Sequence, residues 1–179
     1  VSSPNTKNLR DLQKPETLEK ILKEVNNINV SLKRKVPIFI KIAPDLNDGN
    51  VTEILSVCEE NNVSGLIATN TTINPKTLKN PNSFKGGLSG KPLYNQSNKI
   101  LRLLAKRKKE STVLIGVGGI FSAAEIYEKI MMGASAVQIY TSFIYNGPTH
   151  IKKMEIELKN LLLNDGYSSI NEAVGGLIR

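Results

Sequence analysis

Short apolar runs alternate along this chain with longer stretches in which apolar residues recur every three or four positions. Leu18, Ile21, Leu22, Val25 and Leu32 lie at helical spacing, and Pro15 suits a first helical turn, so a helix is predicted over residues 15–34. Residues 37–43, PIFIKIA, form a short apolar run closed by Pro44 and read as a buried strand. Val51, Ile54, Leu55 and Cys58 mark a second helix, and residues 65–69, GLIAT, a second strand. A polar, glycine-bearing stretch follows to about residue 91. Ile100, Leu103 and Leu104 then predict a helix, and residues 113–117, VLIGV, a third strand. Ser122 and Glu125 have the spacing of a capping box, ahead of an apolar stripe of Ile126, Tyr127 and Ile130. Residues 136–140, AVQIY, predict a fourth strand. Ile151, Met154, Leu158, Leu161 and Leu162 line a last long helix, with Gly166 at its C-terminal cap.

Strict alternation of strand and helix implies a parallel α/β sheet, and strands apolar throughout imply cover on both faces. Two architectures compete, an open doubly wound sheet and a (β/α)₈ TIM barrel. A barrel needs ~250 residues, whereas this chain has 179. The barrel reading therefore gives the chain its last four strand–helix units. The turn Ser2-Ser3-Pro4-Asn5-Thr6 would be the tip of the preceding strand. On that reading residues 1–179 are the C-terminal half of one domain, and the N-terminal half is absent from the chain. No linker, low-complexity tract or further repeat interrupts the alternation.

Composition narrows the function classes. Hydrophobic residues make up 40% of the chain, enough for a core. The net charge is +8, but the lysines are dispersed, and the densest cluster, 106–109, falls where a helix should end and complements its dipole. Tryptophan is absent and aromatics are only 5%, so no stacking platform supports a nucleic-acid partner. The single cysteine excludes a disulfide framework. Apolar runs are too short to span a bilayer, and no signal-peptide pattern is present. No His/Cys cluster has metal-site spacing, so no metal is expected. His150, the only histidine, reads as structural, which leaves no serine–histidine triad.

In either architecture, ligands meet the sheet at the C-terminal ends of its strands. Those ends are polar or glycine-rich: Ser2–Thr6, Lys41 with Asp45 beyond, Thr69-Asn70-Thr71-Thr72, Gly116–Gly119 and Tyr140-Thr141-Ser142. Lys41 lies within the run IFIKIAPD. An unpaired buried ammonium is costly, so it should meet an anionic or polarised ligand atom, or else face water from an edge strand. The GVGG turn leads into a capped helix and suits an anion, or simply close helix–sheet packing. Gly86-Gly87-Leu88-Ser89-Gly90 suits a loop hugging a ligand, or a plain surface loop.

Taken together, these stretches resemble the C-terminal half of class 2, quinone-dependent dihydroorotate dehydrogenase. The motifs run in order over the chain: VSSPNT (1–6), LRDLQ (9–13), IKIAPDL (40–46), GLIATNTT (65–72), GGLSGKPL (86–93), IGVGGI (115–120), GASAVQIYTS (133–142) and INEAVG (170–175). The resemblance implies a β/α barrel holding FMN and oxidising dihydroorotate to orotate in pyrimidine biosynthesis, with electrons passing on to a quinone. It implies Ser3 as the base that deprotonates C5, helped by Thr6, with Asn5, Asn70 and Thr71 on the orotate. It places Lys41 at the N1/O2 edge of the flavin, and Thr69, Ser89 and Gly90 along it. Gly118, Gly119, Tyr140 and Thr141 would cradle the phosphate, with Tyr140 also between flavin and quinone tunnel. Serine rather than cysteine at position 3 favours class 2 over class 1. Asn8 stands where the family commonly has glycine, and asparagine tolerates left-handed backbone better than most residues. The resemblance also implies that quinone and membrane contacts lie mainly in the absent half. The location would be the mitochondrial inner membrane in a eukaryote, or the cytoplasmic membrane in a bacterium. This half by itself is expected to be inactive. The alternatives are a class 1 enzyme or dihydropyrimidine dehydrogenase, or a non-catalytic flavin- or phosphate-binding module.

Overall fold

The computed structural model describes residues 1–74 and 86–178. A 3₁₀ turn (Leu9–Gln13) leads into α1 (Pro15–Ser31). β1 (Phe39–Ile42), α2 (Asp48–Glu60), β2 (Gly65–Ala68), α3 (Tyr94–Arg107), β3 (Val113–Val117), α4 (Ala123–Met131) and β4 (Ala136–Gln138) follow. The short α5 (Thr141–Asn146), α6 (Thr149–Asn164) and α7 (Ile170–Ala173) complete the chain. The four strands are parallel and lie in the order β1-β2-β3-β4. A doubly wound sheet reverses strand order at a switch point. The unbroken order here belongs to a sector of a barrel, with one helix crossing between each pair of neighbours.

Local chemistry accounts for the element ends. Asn8 adopts φ 62°, the left-handed geometry expected where a glycine could have stood. Pro15 opens α1 at a position whose N–H needs no partner. Asn47 Oδ1 accepts from the Asn50 N–H at 2.8 Å to cap α2. At α4, Ser122 Oγ accepts from the Glu125 N–H at 3.3 Å, while the Glu125 carboxylate takes the Phe121 N–H. The capping box forms, with its return bond one residue further out. Gly166 follows the last turn of α6 at φ 82°. The C-terminal tail is fastened to the end of α4, where Gly175 and Leu177 donate backbone N–H bonds to the Ile130 and Met131 carbonyls.

Two predicted elements end early by two residues or more. The first helix stops at Ser31, where Leu32 turns to extended backbone and faces solvent. The fourth strand stops at Gln138, so Ile139 and Tyr140 lie outside it and Thr141 opens a helix. The expectation of cover on both faces also fails for the described residues. Ile40, Ile42, Leu66, Leu114 and Ala134 pack with α1, α2 and α3 residues, including Leu18, Leu22, Ile54, Cys58 and Leu104, into one core. Ile126, Ile130, Met154, Leu158 and Leu162 join α4 to α6 in a second. Residues that point the other way, Phe39, Lys41, Ile67, Ile115 and Val117, are only half-buried. The strands are apolar because both faces carry apolar residues, but the described helices cover just one of them.

Candidate functional site

A cavity of about 520 Å³ opens at the C-terminal ends of the strands, within the size range of small-molecule sites. Lys41, Thr69, Asn70, Ser89, Gly118 and Thr141 line it, with Thr71, Gly90, Gly119 and Tyr140. Thus every sequence-predicted cofactor residue converges there from separate loops, together with two of the three expected substrate residues. Residues 75–85, within the long polar stretch, lie outside the described residues.

Lys41 enters from the half-buried face of β1. It makes no hydrogen bond or ion pair with any described residue, and burial lowers its pKa from the usual lysine value. The side chain lines the cavity, and its charge has no partner among the described residues. Asn70, beyond β2, is held rigidly: its Oδ1 accepts from the Thr71 N–H at 2.8 Å, and its Nδ2 donates to Ser2 Oγ at 3.0 Å. The buried Thr69 hydroxyl donates to the Asn70 carbonyl at 2.9 Å.

The expected substrate loop lies beside the cavity rather than lining it. Ser3 is half-buried, and its Oγ accepts from the Asn5 N–H at 3.3 Å. Thr6 is exposed and makes no hydrogen bond to Ser3, so the hydroxyl pair implied by the resemblance does not form among the described residues. Asn5 is exposed on the same turn. The glycines at 86 and 87 bring the two loops together. A Cβ on Gly87 would fall 1.9 Å from Thr71 Oγ1 and 2.7 Å from Pro4 Cγ, so no side chain fits between them. A Cβ on Gly86 would sit 3.2 Å from Asn5 Oδ1.

At the far end, Gly118 and Gly119 turn at φ 116° and 74°, against the first turn of α3. A Cβ on Gly119 would lie 2.5 Å from Tyr94 Cβ and 2.7 Å from its Cα. Thr141 Oγ1 donates to Ser89 Oγ at 2.9 Å, and Gly90 packs beside Thr141. Tyr140 is 76% exposed, so its side chain stands outside the cradle that its backbone helps to form. Ser142 Oγ is buried with no hydrogen-bond partner among the described residues, and Ser142 lines the cavity. Such an orphan hydroxyl is costly without a ligand to meet it. The glycine turn, the loop hydroxyls and this orphan suit a phosphate-bearing group.

Sequence reasoning missed the network that fixes these loops. Arg10 donates to the Ser2 carbonyl at 3.3 Å, to Asp45 Oδ2 at 2.7 Å and to the Thr71 carbonyl at 2.8 Å. Asp45 also accepts from the Thr72 hydroxyl, the Ile73 N–H and Gln96 Nε2. These bonds outweigh its partial burial and hold its carboxyl below the usual range. Gln13 Oε1 accepts from the Ala43 N–H at 2.8 Å. The signal was present in LRDLQ and APD, where charged residues interrupt the apolar pattern, but periodicity says nothing about which distant loops they join. His150 Nε2 donates to the Phe121 carbonyl at 3.0 Å and steadies the turn before α4. No group of three or more His, Cys, Asp or Glu among the described residues could hold a metal.

A dihydroorotate dehydrogenase family model matches residues 1–162. The chain belongs to that family. It is 44% identical over 176 residues to the dihydroorotate dehydrogenase (quinone) of Cereibacter sphaeroides, covering 98% of this chain and 50% of the relative. Identity to the Christiangramia forsetii protein of the same name is 48% over 153 residues, covering 85% of this chain and 45% of the relative. A ligand-free DHODH crystal structure from Eimeria tenella superposes with a TM-score of 0.94 at 36% identity, over 100% of this chain and 54% of that one. The same organism's DHODH in complex with ferulenol gives a TM-score of 0.93 at 35% identity, over 100% and 53%. The chain therefore spans about half the length of the relatives it matches. Its α/β fold with parallel strands is that of part of their barrel.

Proposed function

We propose that this chain is the C-terminal part of a quinone-dependent dihydroorotate dehydrogenase that uses FMN, with Ser3 as catalytic base. The observation that carries the reading is the convergence of Lys41, Asn70, Thr71, Gly119 and Thr141 on one cavity at the strand ends. The names of the curated relatives support the reaction and the quinone. The orphan Ser142 hydroxyl and the glycine turn support a phosphate-bearing flavin.

The residues divide the work as follows. Asn70 and Thr71 offer amide and hydroxyl groups to a ring of alternating C=O and N–H groups. Asn70 is already fixed by Ser2, so it orients the ring without reordering. Ser3 Oγ, free to exchange its weak bond from the Asn5 N–H, takes the proton from C5 of dihydroorotate as its own hydroxyl proton passes to water. Asn5 stands on the same turn as a further substrate contact, and the exposed Thr6 hydroxyl would relay the proton through that water. Lys41 holds a positive charge, uncompensated among the described residues, where negative charge would build up, an arrangement that needs little reorganisation. Thr69, Ser89 and Gly90 border the flavin, while Gly118, Gly119, Tyr140 and Thr141 hold its phosphate. The chemistry FMN supplies when bound is acceptance of hydride from the substrate and delivery of electrons to a quinone.

The quinone is lipid-soluble, so the protein would work at a membrane, the mitochondrial inner membrane in a eukaryote or the cytoplasmic membrane in a bacterium. No described helix is long and apolar enough to cross one. Contact with quinone and membrane would then come mainly through the N-terminal part of the protein. The half-buried inner face of the sheet would be covered by that part, without which residues 1–179 would not turn over substrate.

The test is an anaerobic visible spectrum of the protein at its natural length, before and after dihydroorotate. A flavin band that bleaches supports the reading. A flavin band that stays unchanged rejects the substrate, and a protein that takes up no flavin rejects the cofactor.

A further inference from the structure

We propose that Lys129 is a positioning residue for the GVGG turn: its buried ammonium, acting through Ser97 on the Gly118 carbonyl, places positive charge behind the turn and so favours FMN over a flavin lacking the phosphate. The inference rests on the reading of the cavity as a flavin site.

Lys129 is 0% exposed, although it is a lysine near the end of a helix on the outside of the sheet. Its side chain passes beneath the third strand, where a Cβ on Gly116 would come within 3.0 Å of Lys129 Cδ. Helical side chains lean toward the N-terminus of their helix, and this one thereby reaches the C-terminal end of the strands. There Nζ donates to Ser97 Oγ at 2.9 Å and to Asn98 Oδ1 at 2.5 Å, and lies 5.1 Å from the centre of the Tyr94 ring. An ammonium has three N–H donors, and the two oxygens and the ring face match them one for one. Ser97, its lone pair taken by the lysine, directs its own hydrogen at the Tyr94 carbonyl (3.0 Å) or the Gly118 carbonyl (3.3 Å). Tyr94 in turn supports the turn from below, since Gly119 packs directly on it.

None of the three partners is a carboxylate. The acidic neighbours lie on the same helix and are engaged elsewhere: Glu128 accepts from the Tyr94 hydroxyl at 2.5 Å, and Glu125 from the Phe121 N–H. A methionine would fill the same space without the cost of burying a charge. The Glu128 and Glu125 carboxylates favour the Lys129 charge from nearby without hydrogen-bonding the ammonium, so among the described residues no ion pair closes around it on the helix side of the turn. The other side of the same turn is the cavity wall formed by Gly118 and Gly119. An anion bound there would gain the attraction of that ammonium across the turn. Burial lowers the Lys129 pKa to about 8, which leaves the ammonium protonated at neutral pH.

The experiment titrates flavin-free protein of natural length with FMN and with riboflavin, following flavin fluorescence, for wild type, Lys129→Met and Ser97→Ala. Wild type should prefer FMN. Lys129→Met should lose about tenfold in FMN affinity, the order expected of one screened unit charge, Ser97→Ala should lose less because the ammonium stays, and both should keep their riboflavin affinity. Folded variants that bind FMN as wild type does, or lose both flavins equally, overturn the role of Lys129. If Lys129→Met does not fold, Ser97→Ala decides by the same comparison. A wild type that shows no preference for FMN overturns the phosphate reading of the turn itself.

Discussion

Lys41 is a half-buried ammonium facing the cavity without a described partner, and Ser3 is a hydroxyl held only by one backbone N–H at 3.3 Å. Replacing Lys41 with methionine keeps the volume and removes the charge. In the full-length protein it should slow flavin reduction by dihydroorotate about 10²–10³-fold, the range for losing one preorganised charge. Ser3→Ala should cost ~10²–10⁴-fold, as for a general base, with orotate binding retained. Rapid-mixing anaerobic reduction measures both, and unchanged rates would remove either residue from the chemistry. Lys129 gives a prediction about stability and pH. Its proton is held up to about 10.5 in the unfolded chain but given up at about 8 in the fold, because burial disfavours the charge. Between those values the unfolded chain binds more protons, so stability rises with pH, by roughly 3 kcal/mol at most. The titratable groups facing it are Tyr94 from α3 and Glu125 and Glu128 from α4. Urea unfolding at pH 7.5 and 10, wild type against Lys129→Met, isolates the effect; equal pH slopes would refute it.

Between elements, the loops matter more than the helices they join. Arg10 ties the Ser2–Thr6 turn to the ends of β1 and β2 through three bonds, and Asp45 is shielded enough (side chain 18% exposed) for the pair to count. Arg10→Ala should destabilise by ~1–3 kcal/mol, since it strips partners from a shielded carboxylate and two carbonyls. It should also weaken orotate binding without loss of flavin, as spectral titration would show. Equal affinity for orotate would mean that the loops hold their places unaided. Gly119→Ala should be worse. The added Cβ meets Tyr94 backbone at 2.7 Å and the residue sits at φ 74°, so both space and conformation oppose it. A loss of ~3 kcal/mol or more is expected, from overpacking and backbone strain together, visible as a fall in Tm with flavin lost.

Over the whole molecule, the sheet has two strands, β1 and β4, that pair on one side only among the described residues, and an inner face that no described helix covers. Unpaired edges and half-buried apolar faces invite association. Residues 1–179 expressed alone should therefore aggregate or form oligomers, and should not reduce flavin with dihydroorotate. Size-exclusion chromatography and an anaerobic spectrum together test this; a monomeric, active preparation would contradict it.

Much of this was legible in the chain because it depends on near neighbours. Helical spacing, apolar strand runs, the cap at Ser122, Pro15 and the left-handed Asn8 are all set by interactions within a few residues, and those elements formed where expected. So did the clustering of polar residues at strand ends, since parallel alternation puts those ends on one side of the sheet. The early end of β4 was not legible, because Ile139 and Tyr140 read as strand until Thr141 starts a helix. What only the tertiary structure decided is which loops touch. The bonds of Arg10 to Asp45 and Thr71 join residues 35 and 61 positions apart. Lys129, an ordinary helix residue by pattern, becomes a buried cation only because α3 and the GVGG turn close over it. Sequence periodicity carries local conformation and the direction of each element. Charge, burial and contact at the site depend on distances between elements, and those are fixed only when the layers pack.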